Sequence, residues 1–192
     1  MSLFNITDLN IFKSEQITNQ SRGLAIDFIG PRFLSDDKLS TIHSAIGNMD
    51  QSWENLFFMT DGAWSNIQLI EYILRYTGPA NVFFTTWSIA ADTISALNAW
   101  KESGQILSIW AILDQGIRNR KPEILQQATG SFTNLKLIKC HAKVTVIQNE
   151  SHSIVLMGSA NFTRNPRKEV GMIIKNKELA EANIKWILEE FV

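Results

Sequence analysis

The sequence has few of the features that mark secreted, membrane-spanning or disulfide-stabilised proteins. It has one cysteine and four prolines in 192 residues, so an internal disulfide is excluded and a reducing compartment is expected. No apolar run approaches the roughly 20 residues of a membrane-spanning helix. The N-terminus has no basic start followed by an apolar stretch, so no signal peptide is expected. These absences predict a cytoplasmic protein without a membrane span.

An excess of either charge is also missing. The chain has 18 Lys+Arg against 19 Asp+Glu, so a nucleic-acid partner would have to be held by a local basic patch. The three histidines and one cysteine show no metal-ligand spacing, and neither a metal nor a cofactor is predicted. The 45% hydrophobic content is ordinary for a soluble protein. With no linker or repeat, we expect one domain over residues 1–192.

Strand and helix patterns alternate along most of the chain. Strands are predicted at 24–29, 55–59, 82–84, 106–113, 135–138, 144–147, 154–157 and 170–174. Helices are predicted at 35–47, 67–77, 90–103, 122–128 and 184–191. Nearly continuous apolar strands between helices indicate a sheet that is covered on both faces. The later strands are close together, which suggests antiparallel hairpins. The predicted fold class is therefore α/β, with a mixed β-sheet sandwiched between helices.

The last third of the chain contains a pattern of chemically useful residues. His141 and Lys143 lie two residues apart at a predicted strand, so their side chains project together. The turn Gly158-Ser159-Ala160-Asn161 follows one hairpin later, and Glu169 precedes the next strand. These groups offer a nucleophile, a cation and neutral donors. Such a set can cleave a phosphodiester without a metal ion.

This ordered pattern resembles the signature of the phospholipase D superfamily, which is His-x-Lys, then an Asp, then Gly-Ser-x-Asn, usually followed by a Glu. The matching residues here are His141, Lys143, Gly158, Ser159, Asn161 and Glu169. The upstream alternation of strands and helices is compatible with a phospholipase D-like fold. One departure is Gln148, which stands where the superfamily has its Asp. Gln148 keeps hydrogen-bonding capacity but carries no charge.

The resemblance implies a metal-independent mechanism in two steps. One histidine attacks phosphorus to form a phosphohistidine, and a second histidine protonates the leaving oxygen and then activates water. Lys143 and Asn161 would hold the nonbridging oxygens, and Ser159 would donate a further hydrogen bond. Glu169 would accept from a histidine Nδ1 and so set the tautomer. Gly158 would let the chain turn tightly beside the substrate.

The mechanism needs two histidines, whereas the chain has one copy of the motif. His43 and His152 have neither a lysine two residues later nor a Gly-Ser-x-Asn partner. A twofold-symmetric homodimer would place His141 of each subunit across a shared phosphate. The single-motif bacterial endonucleases of the superfamily are similar in this respect. The resemblance therefore implies a phosphodiesterase whose substrate class is nucleic acid.

Two other functions remain open. The first is a phospholipase or small-molecule phosphodiesterase of the same fold. The second is a catalytically decayed protein that binds nucleic acid or assembles with partners, in which Gln148 marks the loss of the site. The basic residues Arg164, Arg167 and Lys168 directly follow the motif and would line a phosphate backbone in a nuclease. Their alternative interpretation is ordinary solvated surface.

Other residues near the predicted strand ends have structural and functional interpretations. Trp64 and Trp87 could stack on bases, although core or interface packing is the more common use of tryptophan. Arg118, Arg120 and Lys121 form a second basic cluster, which is either solvated surface or a contact to phosphates. Cys140 precedes His141 but points to the opposite face of the strand, where a small core residue is expected.

Overall fold

The computed structural model describes residues 23–27, 42, 46–50, 53–164 and 167–192. Its strands are Gly23–Asp27 (β1), Asn55–Asp61 (β2), Ala80–Thr86 (β3), Ile106–Asp114 (β4), Asn134–Ile138 (β5), Val144–Gln148 (β6), Ser153–Gly158 (β7) and Lys168–Lys175 (β8). Its helices with described ends are Asn66–Thr77 (α1), Ala91–Glu102 (α2), Ile117–Arg120 (α3), Pro122–Ser131 (α4) and Lys177–Glu189 (α5). Most of the helix predicted at 35–47, and the last two residues of the strand predicted at 24–29, lie outside the described residues.

All eight of these strands form one sheet in the order β1-β2-β8-β7-β6-β3-β4-β5. Strands β3, β4 and β5 are parallel and are connected through helices. The other neighbouring pairs are antiparallel, and β6, β7 and β8 follow one another as hairpins. The predicted mixed sheet and the predicted hairpins are therefore confirmed.

The central strands are buried on both faces. In β3, Val82 and Phe84 pack into a larger apolar cluster with helices α1, α2 and α4, whereas Phe83 packs into a smaller cluster with helix α5. Because both faces are covered, such a strand has a continuous apolar sequence rather than an alternating one. The predicted sandwich of a sheet between helices is confirmed.

Strand β2 corrects one expectation, since the pattern at 55–59 predicts a buried strand. Leu56 and Phe58 are buried, but Met59 on the other face is 40% exposed. Helix α5 packs on β7, β6, β3 and β4, so it does not cover the face of β2 that carries Met59. The apolar composition of β2 therefore reflects one buried face and not two.

The registers bring the loops that carry the predicted site to one end of the strands. Val144 at the start of β6 pairs with Thr85 near the end of β3 and with Met157 near the end of β7. Gly158 pairs with Gly171 of β8. We call this end, where β3, β4 and β7 finish and β6 and β8 begin, the site edge. The opposite end, with the turn at 149–152, is the far edge.

Candidate active site

His141 and Lys143 lie in the segment that leads into β6 at the site edge. The Lys143 Nζ is 3.3 Å from His141 Nδ1 and donates to the His141 carbonyl oxygen at 2.6 Å. His141 is exposed and Lys143 is half-buried. The hydroxyl of Thr85 donates to the Ala142 carbonyl at 3.1 Å and accepts from the Val144 N–H at 3.3 Å. The end of β3 thus fixes the backbone between the two side chains.

The surroundings of Lys143 destabilise its charge. Burial lowers the pKa of Lys143, and the acidic groups of Cys140 and Glu169 oppose that effect only in part. An ammonium group only donates, so a hydrogen bond in this contact requires the His141 tautomer whose proton is on Nε2. The site edge therefore presents an exposed imidazole beside a lysine.

Gly158 ends β7 and Ser159 begins the turn, and the backbone of both residues lies very close to β8. A Cβ on Gly158 would collide with the Val170 carbonyl oxygen and lie 2.9 Å from Gly171 Cα. The glycine is therefore required by the close approach of β8. Ser159 N–H donates to the Val170 carbonyl at 2.9 Å, and the Ser159 hydroxyl accepts from the Val170 N–H at 3.0 Å. The same hydroxyl donates to Glu169 Oε2 in a short hydrogen bond.

Glu169 on β8 thus lies beside Ser159, and its charge also acts on Lys143. Its side chain shares a face of β8 with Gly171 and Ile173, and Ile173 belongs to the larger apolar cluster. Lys143 before β6, Ser159 after β7 and Glu169 on β8 therefore lie close together.

Asn161 completes the group from the side of β3. Its Oδ1 accepts from the Thr86 hydroxyl at 3.4 Å, which turns the amide N–H donors elsewhere. The turn itself is anchored because Asn66 Nδ2 donates to the Ala160 carbonyl at 2.6 Å. Phe162 N–H donates to the Ser88 carbonyl at 3.1 Å. The turn is therefore held at the site edge by α1, and the Asn161 amide contacts the end of β3.

The basic residues after the turn lie on the surface. Arg164 Nε is 3.0 Å from Asp92 Oδ2, with the two side chains 86% and 50% exposed. Arg167 and Lys168 are also exposed. Exposed ion pairs contribute little to stability, so these cations remain available to other partners.

Gln148 lies at the other end of β6 from His141 and Lys143. Its Nε2 donates to Ser153 Oγ at 3.4 Å, and it pairs with Asn81 of β3. Five residues of strand separate it from Lys143, which corresponds to about 16 Å. The position where the superfamily has its Asp is therefore at the far edge.

Sequence reasoning considered Trp87 for base stacking and Arg120 for a basic cluster, and it missed that both lie in one group with Asp114 beside His141. The ring centroid of Trp87 is 5.9 Å from that of His141. Arg120 Cζ lies 4.1 Å from the centre of the Trp87 ring, and Arg120 Nη1 is 2.9 Å from Asp114 Oδ1. The available signal was the position of Trp87 and Asp114 directly at the ends of neighbouring parallel strands. Cys140 is buried in the smaller apolar cluster, as predicted.

Within the described ranges, no group of three or more His, Cys, Asp and Glu side chains is arranged to hold a metal ion. No helix in that part of the chain has the length and apolarity to cross a membrane.

No protein-family model matches the chain, and a comparison with curated proteins gives no match. Among solved structures, the fold is similar to Nuc from Salmonella typhimurium, a phospholipase D family member, with 20% identity, a TM-score of 0.49, and coverage of 65% of this chain and 87% of that one. It is also similar to NucT from Helicobacter pylori, with 16% identity, a TM-score of 0.49, and coverage of 64% and 86%. A third similarity, to polyphosphate kinase from Porphyromonas gingivalis, has 16% identity, a TM-score of 0.48, and coverage of 65% and 23%.

Proposed function

We propose that this protein is a phosphodiesterase that cleaves nucleic acid through a phosphohistidine on His141. The supporting observation is that His141 contacts Lys143 at the site edge. Ser159, Asn161 and Glu169 lie at the same edge. A nucleophilic nitrogen, a cation and neutral donors are the groups that displacement at a phosphodiester requires.

The proposed reaction proceeds in two displacements at phosphorus. In the first, Nε2 of one His141 forms a bond to phosphorus, the bond to the leaving oxygen breaks, and a second histidine, which starts as an imidazolium, gives that oxygen its Nε2 proton and becomes a neutral imidazole. In the second, water gives a proton to the second imidazole and its oxygen attacks phosphorus. The phosphorus–nitrogen bond then breaks and the first imidazole is regenerated.

The acid in this scheme is an imidazolium, because a neutral imidazole that gave up its only N–H proton would become an imidazolate. Both nitrogens of an imidazolium donate, so the contact between Nδ1 and Lys143 is broken when that histidine takes up its second proton. The nucleophile is a neutral imidazole whose proton is on Nδ1, so that Nε2 has a free lone pair. We assign Glu169 as the acceptor for that Nδ1–H, with Lys143 moving to a phosphate oxygen.

Stabilisation of the developing charge is assigned to the same residues that the sequence predicts. Lys143, Asn161 and Ser159 would contact the nonbridging oxygens, and losing one such donor costs about 10²–10³-fold in rate. The exposed Arg164, Arg167 and Lys168 would contact phosphates beside the scissile one. Arg164 would exchange Asp92 for a phosphate, at little cost because the pair is exposed.

The second imidazole is proposed to come from a second copy of the chain. The only other described histidine is His152, which lies in the turn at the far edge, while His43 is outside the described residues. A twofold axis beside the site edge would bring two His141 rings to one phosphate. We also propose that the chain forms one domain and works in the cytoplasm, where its lone cysteine stays reduced.

The test uses purified protein with single- and double-stranded DNA and RNA in excess EDTA. The variant is His141→Ala and the matched control is His152→Ala at the far edge. Cleavage that survives the chelator, is lost in His141→Ala and is kept in His152→Ala supports the proposal. A phosphorylated protein trapped by an alkaline denaturing quench, in which the phosphorus–nitrogen bond survives, and mapped to His141 supports the covalent step.

Two other results would redirect the proposal. Cleavage of bis(p-nitrophenyl) phosphate or of a lipid headgroup ester, with no cleavage of nucleic acid, would indicate a different diester substrate. Binding of nucleic acid without turnover of any diester would indicate the decayed-site alternative. The dimer is tested by subunit exchange between equal amounts of wild-type and His141→Ala protein. Half of the wild-type protomers then lie in mixed dimers, so activity per wild-type protomer should fall to about half if two histidines are required. Unchanged activity would contradict the shared site.

A further inference from the structure

We infer that Asp114, Arg120 and Trp87 are positioning residues for His141, which hold both its backbone and its ring. This inference rests on the proposed function of His141, and it adds three residues that lie outside the motif. They come from the end of β4, helix α3 and the end of β3.

The first link is the contact between Trp87 and His141. Their ring centroids are 5.9 Å apart with an interplanar angle of 53°, within the distance range of favourable aromatic pairs. His141 is exposed, so its ring is not held by burial in the core. A neighbouring ring that is itself fixed can therefore restrict the directions in which Nε2 points.

The second link fixes Trp87 at two points. Arg120 Nη2 donates to the Trp87 carbonyl oxygen at 2.9 Å. The guanidinium carbon of the same Arg120 lies 4.1 Å from the centre of the Trp87 ring, which is a favourable cation–π distance. The indole therefore has one covered face and an anchored backbone.

The third link fixes Arg120 through Asp114. Their side chains are 2.9 Å apart and are 35% and 15% exposed, so the pair is less solvated than an ordinary surface ion pair. Asp114 Oδ1 also accepts from the Gly116 N–H at 3.0 Å. A Cβ on Gly116 would collide with the Arg120 guanidinium, so glycine is needed for the arginine to reach this place.

The fourth link closes the chain of contacts. The other oxygen of Asp114, Oδ2, accepts from the N–H of Cys140 at 3.3 Å, and Cys140 is the residue before His141. One carboxylate thus holds the backbone that carries the imidazole and, through Arg120 and Trp87, the ring beside it. Burial opposes the charge of Asp114, but the hydrogen bonds from Arg120, Cys140 and Gly116 keep its pKa below the ordinary value.

These contacts assign Arg120 a role different from that of its neighbours. Arg118 is exposed on the same short helix and remains available to solvent or phosphates. Arg120 instead uses its guanidinium on a carboxylate, a carbonyl and an aromatic ring. The cluster predicted at 118–121 therefore does not act as one basic patch.

The test measures His141 both with and without turnover. The variants are Trp87→Ala, Trp87→Phe and Arg120→Met, with Arg118→Met as the matched control. The first readout is the pKa and ring chemical shifts of His141 from NMR, which need no activity. The second is kcat and KM for bis(p-nitrophenyl) phosphate, which has no base to stack on Trp87.

We expect the NMR titration of His141 to change in Trp87→Ala and Arg120→Met, and to stay as in the wild type in Arg118→Met. We expect kcat to fall by about 10–100-fold in those two variants with KM within about twofold, because small misplacements of a reacting group have large effects. Trp87→Phe should recover most of the rate. The acid limb of the pH–rate profile should follow the pKa measured by NMR.

An unchanged His141 titration in both Trp87→Ala and Arg120→Met, in protein that unfolds at the wild-type temperature, would overturn the inference. So would a Trp87→Ala defect confined to nucleic-acid substrates, since that result would make Trp87 a base-stacking residue. If the wild type cleaves no diester, the proposed function fails, while the NMR readout still decides whether the three residues position His141.

Discussion

The two edges of the sheet contain similar residues and use them in different ways. At the far edge, the ring of His152 packs edge-on against Tyr76 with centroids 4.8 Å apart. Lys175 Nζ lies 3.8 Å from the centre of the Trp53 ring. At the site edge, by contrast, His141 is exposed and its Nδ1 faces the ammonium of a second lysine. The far edge uses its histidine and lysine for packing.

The asparagines show the same contrast. Asn149 at the far edge donates to the Thr77 and Pro79 carbonyls at 2.9 and 3.1 Å, and its Oδ1 accepts from the backbone N–H groups of Ser151 and His152. Asn161 at the site edge accepts from a hydroxyl at 3.4 Å. An amide that satisfies backbone groups stabilises a turn. Residue type alone therefore does not distinguish a site, and the partners of each side chain do.

The sharpest comparison replaces the lysine at each edge by methionine. Lys143→Met should reduce phosphodiester cleavage by about 10²–10³-fold, because a donor to the transition state is lost. Its unfolding temperature should be no lower than that of the wild type, since burial disfavours the lysine charge in the folded state. Lys175→Met should retain activity and lose about 1–2 kcal/mol of stability with its ring and carbonyl contacts.

Rates and thermal unfolding of the two variants are measured in parallel. A Lys143→Met protein that unfolds well below the wild type would show that Lys143 has a structural role. A Lys175→Met protein with the same rate loss as Lys143→Met would show that the two edges are not separate.

The glycines allow a second comparison, between the site edge and a helix. Gly158→Ala should lose about 3 kcal/mol of unfolding free energy together with activity, because the new Cβ meets the backbone of β8 beside Ser159. Gly130→Ala is the control, since a Cβ there has no neighbour within 4 Å and Gly130 lies within α4. The control should be neutral or slightly more stable. Urea unfolding that gives the same stability for both variants would contradict the required close approach of β7 and β8.

Periodicity was sufficient for much of the fold because each apolar strand or stripe depends on local spacing. The apolar run at 106–113 predicts a strand that the structure has at Ile106–Asp114, and the proline at 122 predicts a helix start that the structure also has. The motif likewise predicted that His141, Lys143 and Ser159 belong together, since short hairpins bring them to one edge. The residues that this motif brings together are close in sequence.

The remaining features depend on contacts between distant parts of the chain. Trp87 and Arg120 are 33 residues apart in the sequence, yet the guanidinium of Arg120 contacts both the ring and the carbonyl oxygen of Trp87. No periodic pattern encodes that pairing, because it arises from the parallel arrangement of β3 and β4.

A third comparison uses the pH dependence of stability to measure what the hydrogen bonds of Asp114 contribute at the site edge. Hydrogen bonds keep the pKa of Asp114 below the ordinary value of about 3.9 despite burial. Its contribution to stability is therefore complete above that value and is lost as pH falls through the lower folded-state pKa. Asp114→Asn should be about 1–2 kcal/mol less stable than the wild type at pH 7, and the difference should shrink below about pH 4. Thermal unfolding from pH 7 to pH 3 measures it, and a difference that grows on acidification would contradict the assignment.

The smallest expected effect is the most informative about the far edge. Gln148→Asp introduces an acidic residue at a position about 16 Å along β6 from Lys143. At that separation and in water, a single charge has little effect on a reacting phosphate. We expect cleavage rates within about twofold of the wild type, and a small change in stability because Ser153 loses its amide donor. A Gln148→Asp protein that gained ten times or more in kcat without a change of stability would show that the two edges are coupled, and that the missing acid limits the site.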